Sequence, residues 1–452
     1  MSDADFSSLG LLPALQQNLV SLGYMQMTAI QQLSLPPVLA GKDVLAQGKT
    51  GSGKTAAFGL GILNKLDIGR LDPQALVLCP TRELADQVCE EIRRLARTLP
   101  NVKVLSLCGG RPVAVQADSL SFGAHIIVGT PGRIEDHLRR ESLKLDHISC
   151  LVLDEADRML DMGFLPSVET IIDMLKPVQP RAQVLLFSAT YPSDIQRLAN
   201  SILQDPVSAR LEENESAPDI EQLFYKVSDE ESRVSALKRI LLHFKPETAL
   251  VFCTTRNDTD EVCRELQVHG FAVLALHGEM DQRERDQTFI RFSNGSARVL
   301  VATDVAARGL DVTGLDLVIN YHPARDEETH THRIGRTGRA GSTGRACTLL
   351  TGAQNRTVFS ELPPLSLLKQ RPEPASMLTL QIDGGKRDKI RPTDVLGALT
   401  GTGELSGSDI GKIRITHNAA YVAVSSANIN LAQQILAKGK IKGKTARTKR
   451  LD

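Results

Sequence analysis

Short apolar runs recur along this chain, and between them apolar residues return every three or four positions. "ALVLCP" leads into "TRELADQVCEEIRRLA", and "VKVLSL", "AHIIVGTP", "CLVLDEAD" and "QVLLFSAT" repeat the rhythm. A strand apolar at every position needs cover on both faces, and amphipathic helices supply it. The pattern therefore predicts βαβ units around a parallel sheet. Near Asp205-Pro206 the rhythm breaks into "PVSARLEENESAPDIEQ", which is polar, acidic and punctuated by two prolines, so residues 206–218 read as an interdomain linker. "TALVFC", "FAVLALHG", "ARVLVATD" and "LDLVINY" then restart the alternation. A Pro-rich break, "LPPLSLLKQRPEPAS", precedes a shorter unit with "MLTLQID", "DIGKIRIT", "AAYVAVS" and "NLAQQILAKG". The expected fold class is α/β: two tandem parallel-sheet domains over 1–205 and 219–370, and a small αβ sandwich over 374–452. The last unit should end in an edge strand with a solvated basic tail.

Composition adds a partner class. The 452 residues carry 53 Lys and Arg against 53 Asp and Glu, but from Pro374 onward there are 13 basic and 6 acidic side chains, leaving 40 and 47 before it. A mildly acidic body with a basic terminal domain points to a polyanion for that domain. The seven cysteines are scattered without a C-x-x-C pair, as expected of reduced core thiols rather than disulfides or zinc ligands. No apolar run is long enough to span a bilayer and no export-type leader is visible, so the expectation is a soluble, cytoplasmic protein with no membrane partner.

The chemistry begins with "GKTGSGKT", residues 48–55, which fits G-x-x-x-x-G-K-[ST] through Gly48, Gly53, Lys54 and Thr55. Gly51 and Gly53 let the backbone curl so that N–H groups, those of Thr50 and Ser52 among them, converge on phosphate at a helix start. Lys54 adds a point charge and Thr55 a hydroxyl for Mg²⁺. The preceding "DVLAQ" and following "AAFGLGILNKL" supply the strand and helix that this motif requires. Downstream, "CLVLDEADRML" delivers Asp154 and Glu155 side by side from an apolar strand. Adjacent carboxylates repel unless a cation, a proton or solvent relieves them. With a triphosphate on Lys54, Asp154 is placed to hold Mg²⁺ and Glu155 to polarise water. A solvated strand end is the alternative for such a pair taken in isolation.

Asp154-Glu155-Ala156-Asp157 spells DEAD, and with the other motifs in order the chain resembles a DEAD-box RNA helicase. The resemblance covers essentially the whole chain and implies two RecA-like lobes, ATP and Mg²⁺ as cofactors, and RNA as substrate. "GYMQMTAIQ" with Tyr24 and Thr28 is similar to the family's Q motif, in which Gln31 would contact the adenine edge and Phe6 would stack on the ring. In "HRIGRTGR", Arg336 and Arg339 match the γ-phosphate arginines, and because they lie in the other lobe, hydrolysis can require closure. By resemblance Asp304 and Arg308 belong to the interlobe nucleotide site, Gly309 and Asp311 shape it, and Ser188-Ala189-Thr190 couples hydrolysis to closure. RNA contacts map onto Pro80, Thr81, Arg82, Gly109, Gly110, Thr130, Gly132 and Arg133, and in the second lobe onto His277, Gly278, Gln282, Arg285 and Thr303. Hydroxyls, backbone N–H groups and single arginines suit a sugar-phosphate backbone, so the core is expected to bind RNA with little sequence preference. For Thr81 and Thr130 a helix N-cap is an equally open role.

After Pro374 the chain resembles the RRM-like RNA-binding domain of DbpA-type DEAD-box proteins. That implies targeting to a hairpin of large-subunit ribosomal RNA, large-subunit precursor particles as partners, and a monomer. An ordinary RRM stacks bases on several sheet aromatics. This segment has only Tyr421, which fits a core position equally well, so recognition is expected to run through Lys386, Arg387, Lys389, Arg391 and Lys412. Lys438 to Arg450 would add salt-sensitive attraction or form a solvated tail. Two other readings stay open: an RNA clamp that ATP merely locks, and a DNA translocase on the same paired-lobe plan.

Overall fold

The computed structural model describes residues 5–48, 52–176, 178, 180–210, 220–307, 314–338, 344–351, 358–443, 445 and 447–451. The chain divides into two compact units, Met1–Ser216 and Ala217–Asp452.

In the first unit the strands β1 (Val44–Gln47), β2 (Ala75–Leu78), β3 (Val104–Leu107), β4 (Ile126–Gly129), β5 (Cys150–Asp154), β6 (Gln183–Ser188) and β7 (Val207–Arg210) form a parallel sheet ordered β3-β4-β2-β5-β6-β1-β7. β2, β4 and β5 are buried at every position, as expected for strands covered on both faces. Their side chains alternate between two cores: Ala75, Val77, Ile126, Val128 and Val152 enter one, and Leu76, Leu78, Ile127, Leu151 and Leu153 the other. The linker expected from residue 206 starts later than that, because Val207–Arg210 pairs with β1 along its whole length. Its only signal was the inward Ala209 within a polar, acidic stretch. Tertiary contacts complete it: buried Asp43 takes the guanidinium of Arg181 at 2.8 Å and the N–H of Gln204 at 2.7 Å, and its carbonyl accepts from Val207 N.

The second unit has a parallel sheet of β8 (Ile220–Val227), β9 (Ala249–Cys253), β10 (Val273–Leu276), β11 (Val299–Thr303), β12 (Leu317–Asn320) and β13 (Gly344–Thr351), ordered β10-β11-β9-β12-β13-β8. It also contains a four-stranded antiparallel sheet, β15-β16-β14-β17, from β14 (Met377–Asp383), β15 (Ile410–Ile415), β16 (Ala419–Ser425) and β17 (Thr448–Leu451). Alternation in β14 divides this small sheet. Leu380 and Ile382 join Val422 and Val424 beneath the helices Pro392–Thr400 and Ile429–Lys438. Thr379, Gln381 and Tyr421 take the opposite face, against the helix Gln282–Ser293 and the turn after it. There Tyr421, Ala419 and Leu451 pack on Ile290, Thr379 Oγ1 accepts from Asn294 Nδ2 at 2.8 Å, and Gln287 donates to Gln381 at 3.1 Å. The connection between the sheets is tied down by Arg298, which donates to the Pro246 carbonyl at 3.1 Å and the Glu373 carboxylate at 2.9 Å. Thr448–Leu451 is the expected edge strand. All seven cysteines are free and buried, and among the described residues no helix is long and apolar enough to cross a membrane.

Candidate nucleotide and RNA sites

β1 runs into Gly48, whose N–H donates to the Ser188 carbonyl at 3.0 Å, and the helix Lys54–Lys65 starts after Gly53. Gly53 sits at φ +94°, and a Cβ there would lie 2.5 Å from Gln31 Nε2, so both conformation and space demand glycine. Lys54 is buried and donates to the Gly48 carbonyl at 2.7 Å. Ser52 and Thr55 flank it at half-buried positions, while Thr50 and Gly51 lie outside the described residues.

The residues expected to read adenine also brace this loop. Gln31 is buried; its Oε1 accepts from Thr28 N at 2.9 Å and its Nε2 donates to the Gly53 carbonyl at 3.0 Å. Thr28 Oγ1 donates to the Ser52 carbonyl at 2.7 Å. Phe6 is buried edge-on against Tyr24, ring centres 6.3 Å apart, and Tyr24 Oη donates to Glu91 at 2.7 Å.

β5 ends at Asp154 and the chain turns through Glu155 at φ +54° into the helix Ala156–Asp161. Among the described residues Asp154 Oδ1 is buried with no hydrogen-bond partner. Burial pushes its carboxyl up to about 6, opposed by the charge of Lys54 and reinforced by that of Glu155. A divalent cation would supply the partner this oxygen lacks, and the oxygen-only donors Asp154 and Thr55 fit Mg²⁺ chemically. Glu155 is held by Arg158 at 2.8 Å, both side chains almost fully buried. Arg158 was not singled out in the sequence; its i,i+3 spacing from Glu155 on a helix was the available signal. Asp157 Oδ2 accepts from Ala189 N at 3.0 Å and from Thr190 N and Oγ1 at 2.9 and 3.0 Å. The SAT segment is thereby fastened directly to the DEAD segment.

Adjacent strands bring the first lobe's RNA candidates to the same sheet rim. Pro80 and Thr81 follow β2, Gly109 and Gly110 follow β3, and Thr130 follows β4. Thr81 caps the helix Arg82–Leu95, accepting from Leu84 N at 3.3 Å, and Thr130 stands at the N-cap of the helix Pro131–Arg139. A Cβ on Gly109 would fall 2.8 Å from the guanidinium of Arg82, so that glycine makes room for the arginine. Gly110 adopts φ +80°. Arg133 lies half-buried, its Nη1 donating to the Arg111 carbonyl at 2.9 Å and to Gln116 Oε1 at 2.8 Å.

In the second unit His277 follows β10, Thr303 ends the neighbouring β11, and Asp304 opens the next helix. His277 Nε2 lies 3.1 Å from Asp260. Asp304, expected at the nucleotide site, is paired within its own lobe. Arg333 grips its carboxylate with two bonds of 2.7 and 2.8 Å, donates to Asn320 Oδ1 and the His322 carbonyl, and lies 5.0 Å from the centre of the Phe252 ring. Arg333 belongs to the same "HRIGRTGR" run, but its partner is 29 residues away and invisible to local pattern. Arg336 is buried, and its carbonyl accepts from Leu315 N at 3.1 Å. Arg308, Gly309, Asp311 and Arg339 lie outside the described residues.

In the terminal domain Lys386, Arg387, Lys389 and Arg391 are exposed on the loop after β14. Gly385 lets that loop pass close to the β15–β16 turn, where a Cβ would meet the Thr416 carbonyl at 2.4 Å, and Lys389 takes φ +59°. Lys412 Nζ donates to the Ser293 carbonyl at 2.8 Å, a bond between the domain and the parallel-sheet lobe. Tyr421 is buried in that same junction, as a core reading allowed.

Comparison with known families agrees with this geometry. The DEAD/DEAH box helicase family matches residues 28–198, the helicase conserved C-terminal domain matches 232–341, and the DbpA RNA binding domain matches 379–450. The ATP-dependent RNA helicase DbpA of Escherichia coli (strain K12) is 50% identical, with 99% of each chain covered. The ATP-dependent RNA helicase CshA of Listeria monocytogenes is 45% identical over 76% of this chain and 66% of its own. The solved structure of S. cerevisiae Dbp5 bound to RNA and ADP BeF3 is similar at a TM-score of 0.68 and 30% identity, covering 77% of this chain and 90% of that one. The chain belongs to the DEAD-box RNA helicases and carries, after its two parallel-sheet lobes, an RNA-binding domain of the DbpA type.

Proposed function

We propose that this DEAD-box helicase hydrolyses ATP when RNA is bound and uses the cycle to melt short duplexes near a hairpin of large-subunit ribosomal RNA, during assembly of that subunit. The observation that carries the catalytic half is the buried, unpartnered oxygen of Asp154 at the end of β5, in the charge field of Lys54. Asp154 and Thr55 would hold Mg²⁺, which supplies charge neutralisation on the phosphates. Lys54 and the N–H groups at the start of its helix bind phosphate oxygens. Glu155, fixed by Arg158, orients the attacking water and receives its proton. Arg336 and Arg339 of the second unit offset the charge that develops on the transferring phosphoryl. Arg333, through Asp304, orders the segment leading to Arg336.

The RNA half rests on the rim formed by Thr81, Arg82, Gly110, Thr130 and Arg133, with His277 and Thr303 in the second unit, all suited to a backbone without base preference. Hairpin choice belongs to the terminal domain, through Lys386, Arg387, Lys389 and Arg391. That assignment is supported by the exposure of these four side chains and by similarity to Escherichia coli DbpA. The test is multiple-turnover unwinding of a short duplex joined to a ribosomal RNA hairpin. Wild type should unwind catalytically, and Glu155→Gln should bind ATP and RNA yet stop after at most one round. Single-round release by wild type itself would mark a clamp, and stimulation by DNA equal to that by RNA would mark a translocase.

A further inference from the structure

Behind the RNA rim of the first lobe lies a buried polar chain that neither the ATP site nor the RNA contacts require by themselves. Gln116, on the helix Val113–Ser121, is almost fully buried. Its Nε2 donates to the Cys108 carbonyl at 2.8 Å, immediately before Gly109-Gly110. Its Oε1 accepts from Arg133 Nη1 at 2.8 Å and faces His137 Nε2 at 3.0 Å. His137 is fully buried, and its Nδ1 lies 2.7 Å from Ser142 Oγ.

The hydrogen positions follow from the partners. A guanidinium only donates and the Cys108 carbonyl only accepts, so the Gln116 amide has one permitted orientation. Its oxygen then requires His137 to carry its proton on Nε2, leaving Nδ1 to accept from the Ser142 hydroxyl. The result is a directional chain: Ser142 donates to His137, His137 donates to Gln116, and Arg133 donates to the same Gln116 oxygen from the other side. Burial and the nearby Arg133 charge hold the His137 imidazole below its ordinary value, consistent with a neutral ring.

From this geometry we infer that Gln116 is a positioning residue for RNA binding: buried beneath the rim, it aims the Arg133 guanidinium and ties it to the Gly109-Gly110 loop, with His137 fixing the amide. An arginine on an exposed helix samples many rotamers and loses that freedom when it binds. Here one nitrogen is anchored by two acceptors, and among the described residues Nη2 has no hydrogen-bond partner and remains for a phosphate oxygen. The same amide sets the distance from that nitrogen to the glycine loop, so two backbone-contacting elements move together. The inference rests on the reading of Arg133 as an RNA contact, and the test separates the two.

The full chain is compared with Gln116→Leu, Arg133→Ala and the double variant. Each is titrated by anisotropy with a single-stranded ribosomal RNA fragment lacking the hairpin, in the presence of a non-hydrolysable ATP analogue, over a range of salt. Arg133→Ala and Gln116→Leu should each weaken binding roughly tenfold, the scale of one lost contact, and flatten the log–log salt slope by about 0.7. The double variant should be no worse than either alone, and Gln116→Leu should keep the KM for ATP and the ATPase rate at saturating RNA. If Arg133→Ala leaves affinity and slope unchanged, the RNA role of Arg133 is wrong. If it lowers both while Gln116→Leu does not, or if the two losses add, the positioning role is wrong. Should Gln116→Leu fail to fold, His137→Phe and His137→Gln decide. His137→Gln keeps a donor to the amide and should bind like wild type, His137→Phe should resemble Arg133→Ala, and equal binding by the two would overturn the inference.

Discussion

Single residues in this molecule hold two jobs at once, and substitutions expose which dominates. Gly53 combines a left-handed backbone with a space too small for a methyl group beside Gln31. Gly53→Ala should therefore abolish ATP binding, read by titration with a fluorescent ATP analogue, and lower stability by about 1–3 kcal/mol from strain alone. His137 is a second case. Its folded-state value is depressed by burial and by Arg133, so the unfolded chain binds a proton at a higher pH than the native one does. The stability it contributes is complete above the unfolded value of about 6.5 and is lost as pH falls through the lowered native value. His322, half-buried and also depressed, acts in the same direction in the second unit. Thermal midpoints should drop between pH 7.5 and pH 5.5, and His137→Gln should reduce that drop; an identical slope in the variant would remove His137 from the explanation.

Elements explain what local pattern could and could not reveal. The strands with strict two-sided burial were legible because their interiors are apolar: β2, β4 and the Cys150–Leu153 part of β5 read as strand interiors from the sequence. The glycine loop, the DEAD carboxylates and the N-cap of Thr81 were legible because each is a local motif with a local physical cause. β7 was not, since a short edge strand with one fully buried residue looks like linker until Asp43 and β1 are placed beside it. The partners of Lys412 and Arg333 were hidden for the same reason: the Ser293 carbonyl and the Asp304 carboxylate that engage them are distant in sequence. The junction between the small sheet and the helix Gln282–Ser293 is of this kind too. Its buried centre is Thr379, bonded to Asn294 and to Ser296 Oγ at 2.8 Å each. Thr379→Val keeps shape but strands two buried polar groups, a cost of about 1–3 kcal/mol for each group left unsatisfied. The variant should become more sensitive to proteolysis at residues 370–376, measured against a wild-type digest at equal protease; unchanged cleavage would mean that Arg298 and the apolar contacts suffice.

Across the whole molecule, chemistry and address are carried by different parts of the chain. The rim of the first sheet gathers Gly48 and Lys54, the carboxylates Asp154 and Glu155, and Thr81, Arg82, Thr130 and Arg133 at the C-terminal ends of neighbouring strands, where parallel sheets leave room for ligands. The terminal domain turns its mixed polar face onto the second lobe and leaves the basic side chains of Lys386, Arg387, Lys389 and Arg391 exposed. Charge follows the same division, with a net acidic body and a net basic end. Replacing Lys386, Arg387 and Lys389 together by alanine should remove the preference for hairpin-containing RNA while leaving binding of plain single strands within about threefold, as measured by competition.

Steady-state ATP hydrolysis by the full chain, titrated with large-subunit ribosomal RNA fragments that contain or lack the hairpin, examines the coupling of turnover to RNA most directly. The rate should rise at least roughly tenfold with the hairpin-containing fragment, a lowering of the barrier by about 1.4 kcal/mol or more, and far less with the other. Equal rates with and without RNA would contradict the account.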